Sequence, residues 1–204
     1  QDIKSHWLKT ASLPKIATPE STADPSPTTL PLIGSSVSED EIWACTTCAA
    51  CQETCPVYVE HITKVIDMRR NLVLMQSKMP ETAQIMLRNL QSRGHPWSGV
   101  QSLRLRGDWT KEQDLKILGE GESTEILFWV GCTGALVDRN VSATLSLVKL
   151  MKAAGINFGV LGETETCCGD PARRAGYEIV FQTMAEQNIE TFKAHNVKEI
   201  VTSC

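Results

Sequence analysis

Four cysteines lie within eleven positions of this 204-residue chain, in the run "IWACTTCAACQETCPV". Two residues separate Cys45 from Cys48 and Cys48 from Cys51, and Cys55 follows three residues later, directly before Pro56. The two-residue spacings place three sulfurs on one tight loop, where backbone N–H groups can also face them. Because thiolates are metal ligands, the run predicts a metal or metal–sulfur site.

The spacing C-x2-C-x2-C-x3-C-P is that of bacterial ferredoxins, whose cysteines hold 4Fe–4S clusters. In that pattern the first three cysteines bind one cluster and the fourth binds the other cluster of a pair. We therefore expect Cys45, Cys48 and Cys51 to hold one 4Fe–4S cluster and Cys55 to reach a second. No cysteine precedes Cys45, so we expect a twin motif upstream of Gln1.

Three other interpretations of this run are open. Zinc more often takes two separated C-x2-C pairs or histidine partners, and the nearby His61 falls in the predicted following helix. Disulfides are the second alternative. In the third, all four cysteines bind a single cluster, but the wider last spacing and Pro56 direct Cys55 towards the next helix.

A second group of cysteines follows three apolar segments that we predict to be β-strands. Its members are Cys132, Cys167, Cys168 and Cys204. The carboxyl ends of parallel strands are where an open α/β sheet binds ligands, and the helix N-termini there favour an anionic group. We expect a second cluster at this edge; the alternatives are four small buried hydrophobic side chains or a structural zinc site.

The elements that position these cysteines follow from periodicity and capping signals. Ser38 and Glu41 form the pattern of a capping box, which predicts a short helix carrying Ile42 and Trp43. Helices are also predicted over residues 59–77 and from Pro80 to an end at Gly94. From residue 124 onwards, strand, helix (138–154), strand, helix (171–194) and strand alternate, which is typical of a parallel α/β unit.

Composition and charge exclude several classes of function. The net charge is −4 and no basic stripe is present, so we expect no nucleic-acid partner. No apolar run approaches the roughly 18 residues of a membrane helix, so we expect membrane contact only through segments outside this chain. Eight clustered cysteines in 204 residues indicate thiolate ligands in a reducing, cytoplasmic setting, with the cytoplasmic face of the membrane as an option.

The second cysteine group gives the sequence a specific resemblance. Thirty-four residues lie between Cys132 and Cys167, and thirty-five between Cys168 and Cys204. Together with Gly169, this pattern resembles the CCG (cysteine-rich) domain of heterodisulfide reductase, whose last ligand would lie three residues beyond Cys204. The stretch from Glu39 to Leu74 resembles the second ferredoxin motif of bacterial membrane-bound oxidoreductases of the heterodisulfide reductase D type.

This resemblance implies an α+β composite. An all-α ferredoxin-type module (38–94) would follow a helix tail and a proline-rich linker (1–37). A connector (95–123) would lead to an incomplete parallel α/β CCG domain (124–204). The implied cofactors are ferredoxin-type 4Fe–4S clusters, one shared with the upstream motif, and a noncubane 4Fe–4S cluster at the CCG cysteines.

The implied function is that of an iron–sulfur electron-transfer component of a membrane-associated oxidoreductase. Electrons would pass between an electron-transfer flavoprotein or dehydrogenase partner and a quinone or disulfide acceptor. The alternatives are a catalytic heterodisulfide reductase component and a structural zinc module. No G-x-G-x-x-G fingerprint for flavin or nicotinamide is present, and we identify no catalytic triad or carboxylate pair.

Overall fold

The computed structural model describes residues 31–98, 108–110 and 113–203. The predicted helix tail and most of the linker lie outside these residues, as does Cys204. The amino-terminal part is helical, and a short helical segment, Leu32–Ser35, precedes its four main helices. These are α1 (Glu39–Ala44), α2 (Ala50–Glu53), α3 (His61–Arg70, continued by a π-helical turn over Asn71–Met75) and α4 (Glu81–Arg93).

Two predicted helix ends in this part, the start at Ser38 and the end at Gly94, are confirmed by their caps. The Ser38 hydroxyl accepts a hydrogen bond from the Glu41 N–H, and the Glu41 carboxylate accepts one from the Ser38 N–H. At the other end, Gly94 ends α4 with a φ of 69°, and its N–H donates to the Leu90 carbonyl. A left-handed glycine is the usual way to end a helix, because it has no Cβ to clash.

The carboxyl-terminal part is a four-stranded sheet with helices between its strands. The order of its strands is β1-β3-β2-β4, and each neighbouring pair is parallel. Its strands are β1 (Lys116–Ile117), β2 (Ile126–Trp129), β3 (Phe158–Val160) and β4 (Glu199–Thr202). Its helices are α5 (Gly131–Leu136), α6 (Asp138–Ala153), α7 (Asp170–Arg174) and α8 (Glu178–Ala194).

Alternating side chains of β2 divide the core into two layers. Phe128 packs on one face with Val148 of α6. Trp129 packs on the other, where its ring meets Phe192 of α8 edge-on at 5.0 Å between centroids. Helices therefore cover both faces of the parallel sheet, as the strand–helix alternation predicts.

Three local features differ from the sequence predictions. The predicted helix over 171–194 is two helices, α7 and α8, because Gly176 adopts a φ of +80° between them. The connector predicted over 95–123 contains β1, which is too short to show a period. The residues after β2 form α5, a helix that the predicted strand–helix alternation does not include. The α+β class holds; the ferredoxin-type identity of the helical part and the domain boundaries stay predictions.

Candidate metal centres

The first cysteine loop has an unusual backbone. Thr47 (φ 54°) and Ala49 (φ 64°) lie between its cysteines, and Tyr58 (φ 55°) follows it, all in the left-handed region. Non-glycine residues seldom adopt this conformation, which costs about 1 kcal/mol or more and is concentrated at functional sites. The loop is therefore held in a conformation that the sequence alone does not favour.

This backbone aims N–H groups at sulfur. The Thr47 N–H donates to Cys45 Sγ at 3.4 Å, and the Val59 N–H donates to Cys55 Sγ at 3.3 Å. Hydrogen bonds from the Ala50 N–H and then the Thr46 hydroxyl lower the pKa of Cys48. Bonds from the Val59 and Val57 N–H groups likewise lower the pKa of Cys55. Cys48 and Cys55 thus favour the thiolate, the form that binds metal.

The sulfurs of this loop do not form a closed cage by themselves. Cys48 and Cys51 are exposed, and Cys45 and Cys55 are half-buried. Within the described residues, no three cysteine, histidine or carboxylate side chains converge closely enough to hold a metal ion. The predicted ligands therefore lie on one loop as free thiols, and backbone N–H groups donate to two of their sulfurs. That this loop binds a metal stays a prediction.

The second group is partly assembled at the carboxyl edge of the sheet. Cys132 lies in the first turn of α5, directly after β2, and Cys167 lies in the loop that leads from β3 to α7. Their sulfurs are 3.9 Å apart and both residues are buried. The next two strands in the chain, β3 and β4, flank β2 on opposite sides, so Cys132 follows the topological switch point where open sheets bind ligands.

Cys167 is fixed by its backbone from two sides. Its N–H donates to the Gly94 carbonyl at the end of α4 (2.8 Å). Its carbonyl accepts from Asn188 Nδ2 of α8 (3.0 Å), whose Oδ1 accepts from the Thr166 hydroxyl (2.9 Å). The helical part of the chain therefore contributes directly to positioning the second cysteine group.

The adjacent cysteines of this group differ in acidity. Contact with the Cys132 thiol, then with Cys168, together with burial, raises the pKa of Cys167. The Cys167 thiol and the Asp170 N–H lower the pKa of Cys168 to about 6. Cys168 is also exposed, so this thiol is the most readily ionised and most accessible of the three described.

A buried carboxylate, which sequence analysis missed, shapes the turn before Cys132. Glu165 is 2% exposed, and its side chain accepts hydrogen bonds from the N–H groups of Gly131 (2.6 Å) and Val130 (3.2 Å). It ties the loop of Cys167 to the start of α5. Glu163, two residues earlier, is exposed, and nothing in the sequence distinguishes the two glutamates.

A cavity of about 370 Å³ lies against the second cysteine group. Cys132 and Cys168 contribute to its lining, and most of the remaining wall is apolar, including Trp129, Phe181 and Phe192. Thr202, the last residue of β4, also lines it, two residues before Cys204. Two thiols at the edge of an apolar cavity fit a sulfur-ligated group that must be shielded from water.

The two cysteine groups are linked by the short helix α7. Its first residue, Asp170, is two residues after Cys168. At its other end, the Arg174 carbonyl accepts from Arg69 Nη1 (2.9 Å), and Arg174 Nη1 donates to the Thr47 hydroxyl of the first loop (3.2 Å). A five-residue helix is about 7.5 Å long, so the element that links the two groups is short.

Comparisons with known proteins agree with this picture. A family profile described as "Cysteine-rich domain" (CCG) matches residues 126–204. The chain is 42% identical over 178 residues to a probable iron–sulfur-binding oxidoreductase, FadF, of Bacillus subtilis; the match covers 84% of this chain and 25% of that protein. It is 40% identical to an EtfAB:quinone oxidoreductase of Syntrophomonas wolfei, with 82% of this chain and 24% of that protein covered.

A more distant relative is a component of the dihydromethanophenazine:CoB–CoM heterodisulfide reductase of Methanosarcina mazei. It is 26% identical, with 87% of this chain and 42% of that protein covered. The chain thus spans about a quarter of the length of the two more similar relatives. No solved structure matches it significantly. No helix in the described part of the chain is long and apolar enough to cross a membrane.

Proposed function

We propose that this chain, which carries a cysteine-rich CCG domain and is similar to iron–sulfur oxidoreductases, transfers electrons between two iron–sulfur sites. The pairing of Cys132 with Cys167, 3.9 Å apart at the edge of a cavity that Cys168 also lines, is the observation that carries this proposal. Thiols that are not joined in a disulfide suit a cluster ligand set at such an edge.

The first site in this proposal is the loop of Cys45, Cys48 and Cys51, binding a ferredoxin-type 4Fe–4S cluster. Cys55 contributes to a second such cluster. The second site consists of Cys132, Cys167, Cys168 and Cys204, binding a 4Fe–4S cluster of the noncubane type. A bound iron–sulfur cluster supplies one-electron redox chemistry at potentials set by hydrogen bonds to sulfur, net charge and solvent exposure.

The residues of the chain have separate tasks in this scheme. Backbone N–H groups of Thr47 and Val59 stabilise negative charge on Cys45 and Cys55. Trp129 and Phe181 exclude water from the second site. Glu165 holds the turn that presents Cys132. Helix α7 connects Cys168 of the second site with the loop of the first site through the contacts of Arg174.

The external partners are inferred from the named relatives. We propose a flavoprotein or dehydrogenase as donor and a quinone as acceptor, because a relative with 40% identity is named for a flavoprotein, EtfAB, and a quinone. A membrane location would come from segments outside this chain. One relative, 37% identical, is named a probable membrane-anchored ferredoxin.

A second candidate function is disulfide reduction at the CCG site. The open apolar cavity beside the exposed Cys168 favours it, as does the similarity to a heterodisulfide reductase component. In this reaction two electrons and two protons would cleave one S–S bond of the substrate and yield two thiols. The electrons would come from the same redox partner.

Rapid mixing of the anaerobic full-length protein tests the proposal. A reduced flavoprotein should bleach the visible absorbance of the clusters, and a soluble quinone should restore it. Cys132→Ser should leave bleaching of the ferredoxin-type clusters intact and slow the quinone step at least tenfold. Reoxidation by a small disulfide but not by quinone would favour the second candidate. Absence of bleaching by any reductant would contradict both.

A further inference from the structure

The most deeply buried cation of the helical part is Arg69. This residue of α3 is 5% exposed, and its guanidinium lies 5.2 Å from the centre of the Trp43 ring. It donates to the Ile42 carbonyl from Nε (3.2 Å) and Nη2 (2.8 Å), and also to the carbonyl of Cys45. Its remaining arm, Nη1, binds the Arg174 carbonyl of α7 (2.9 Å).

These partners accept four hydrogen bonds from Arg69 but do not neutralise its charge. Among the described ion pairs, none involves Arg69, whereas the next residue, Arg70, pairs with both Asp67 (2.7 Å) and Glu178 (2.8 Å). The carbonyls around Arg69 carry only the partial negative charge of helix ends. Burying a cation raises the free energy of the folded state unless an anion lies nearby. We therefore expect a negative group close to Arg69.

The side of Arg69 that faces Cys45 identifies that negative group. The carbonyl that Arg69 binds belongs to Cys45 itself, the first ligand of the loop. A cluster held by thiolates carries net negative charge, which becomes more negative by one unit on reduction.

We propose that Arg69 is the buried countercharge of the cluster bound by the Cys45 loop, and that its Nη1 arm fixes this loop against the cysteine-rich domain. This inference rests on the proposed iron–sulfur site at Cys45, Cys48 and Cys51. The cation stabilises the reduced cluster more than the oxidised one and so raises its reduction potential. The hydrogen bond from Arg69 to the Arg174 carbonyl holds α7, and with it Cys168, in a fixed position relative to the loop.

Potentiometric titration of the anaerobic full-length protein, followed by EPR of the reduced clusters, tests the countercharge. Arg69→Met should disfavour reduction of one ferredoxin-type cluster at least tenfold, which is about 59 mV for a one-electron couple. Arg69→Lys keeps the charge, so its equilibrium constant for cluster reduction should stay within twofold of the wild-type value. Arg70→Met is the matched control: it removes a neighbouring cation that already has carboxylate partners, and should also stay within twofold.

Three results would overturn the proposal: an unchanged potential in an iron-replete Arg69→Met protein, equal shifts in Arg69→Met and Arg69→Lys, or an equal shift in Arg70→Met. If Arg69→Met does not fold, Arg69→Gln makes the same comparison. If neither folds, Arg69→Lys decides alone. An equilibrium constant for cluster reduction within twofold of the wild-type value would support the countercharge, and a tenfold lower constant would oppose it. Absence of iron from the wild type is a different readout, and that result would remove the proposed function itself.

Discussion

At the scale of single residues, the backbone around the sulfurs determines what the cysteines can do. The first loop places non-glycine residues in left-handed conformations and directs N–H groups at Cys45 and Cys55. In the second group the neighbouring thiols Cys167 and Cys168 have pKa values shifted in opposite directions. The first arrangement favours the thiolate form at Cys48 and Cys55, whereas the second favours it at Cys168 and disfavours it at Cys167. Neither involves a disulfide among the described cysteines.

The first residue-scale prediction concerns the iron content. Cys48→Ser should remove about four irons per chain from the anaerobic full-length protein, because three loop sulfurs are needed to hold a ferredoxin-type cluster. His61→Ala is the control, since this exposed histidine begins α3 close to the loop and would be a ligand only in a zinc site. Retention of all iron in Cys48→Ser would contradict the assigned ligands.

The second residue-scale prediction concerns Glu165. Glu165→Gln should lower the free energy of unfolding by about 1–3 kcal/mol, because one of two buried N–H groups would face an amide donor instead of a carboxylate oxygen. Glu163→Gln, at an exposed site two residues away, should change it by less than about 0.5 kcal/mol. Urea titration measures both. Equal effects would mean that the buried carboxylate does not hold the turn before Cys132.

At the scale of elements, the break between α7 and α8 connects the two parts of the chain. A Cβ on Gly176 would lie 2.4 Å from the Arg70 nitrogen and 2.5 Å from the Arg69 carbonyl carbon. The turn therefore packs directly against the backbone of α3. Only glycine permits this approach, which explains why one predicted helix is two.

A pair of glycine substitutions separates this contact from backbone strain. Gly176→Ala and Gly155→Ala both place alanine at a positive φ (80° and 69°), which costs about 1–2 kcal/mol, but Gly155 has open space around it. Gly176→Ala should destabilise the protein by at least about 2 kcal/mol more, because its Cβ collides with backbone. The denaturant midpoint measures the difference. Equal losses would show that α3 and the turn are not in tight contact.

Many of these helices and strands could be predicted from the sequence, because particular residues carry a local signal for them. The Ser38–Glu41 capping box, Gly94 and the apolar strands over 126–129 and 158–160 each carry a local signal that the packing reinforces. The break at Gly176 is marked only by the glycine itself, and the apolar residues whose spacing predicted one helix all follow it, from Tyr177 onwards. β1 is two residues long and becomes a strand only through its pairing with β3.

The candidate sites could also be predicted only in part from the sequence. Cysteine spacing identifies the residues and the edge of the sheet where Cys132 and Cys167 meet. It does not identify Arg69 or Glu165, because a single arginine in an amphipathic helix and a glutamate in a loop look the same whether exposed or buried. Their roles arise from contacts between segments that are at least 24 residues apart for Arg69 and 34 residues apart for Glu165.

At the scale of the whole molecule, buried polar links join the helical part to the cysteine-rich domain. Arg69 binds the Arg174 carbonyl, the Cys167 N–H binds the Gly94 carbonyl, and Arg70 pairs with Glu178 of α8. These links fix the positions of the two cysteine groups relative to each other. Electron transfer depends on such a fixed separation, so stability and function share the same contacts.

A double-mutant cycle tests this interface. Arg70→Met and Glu178→Gln should show a coupling energy of about 1–3 kcal/mol, since their side chains are 26% and 11% exposed. The control cycle, Lys78→Met with Glu39→Gln, removes an ion pair of similar length (2.7 Å) with side chains 54% and 40% exposed. Its coupling should be below about 0.5 kcal/mol. Equal couplings, measured by urea unfolding, would argue against a buried link between the two parts.

The central claim is that the cysteines of this chain hold iron–sulfur clusters that carry electrons. Its most direct test is the iron and acid-labile sulfide content of the full-length protein, purified without oxygen, with EPR spectra before and after dithionite. We predict several irons per chain with matching sulfide and cluster signals that appear on reduction. Zinc in place of iron, with no EPR signal in either state, would contradict the account and leave a structural metal module.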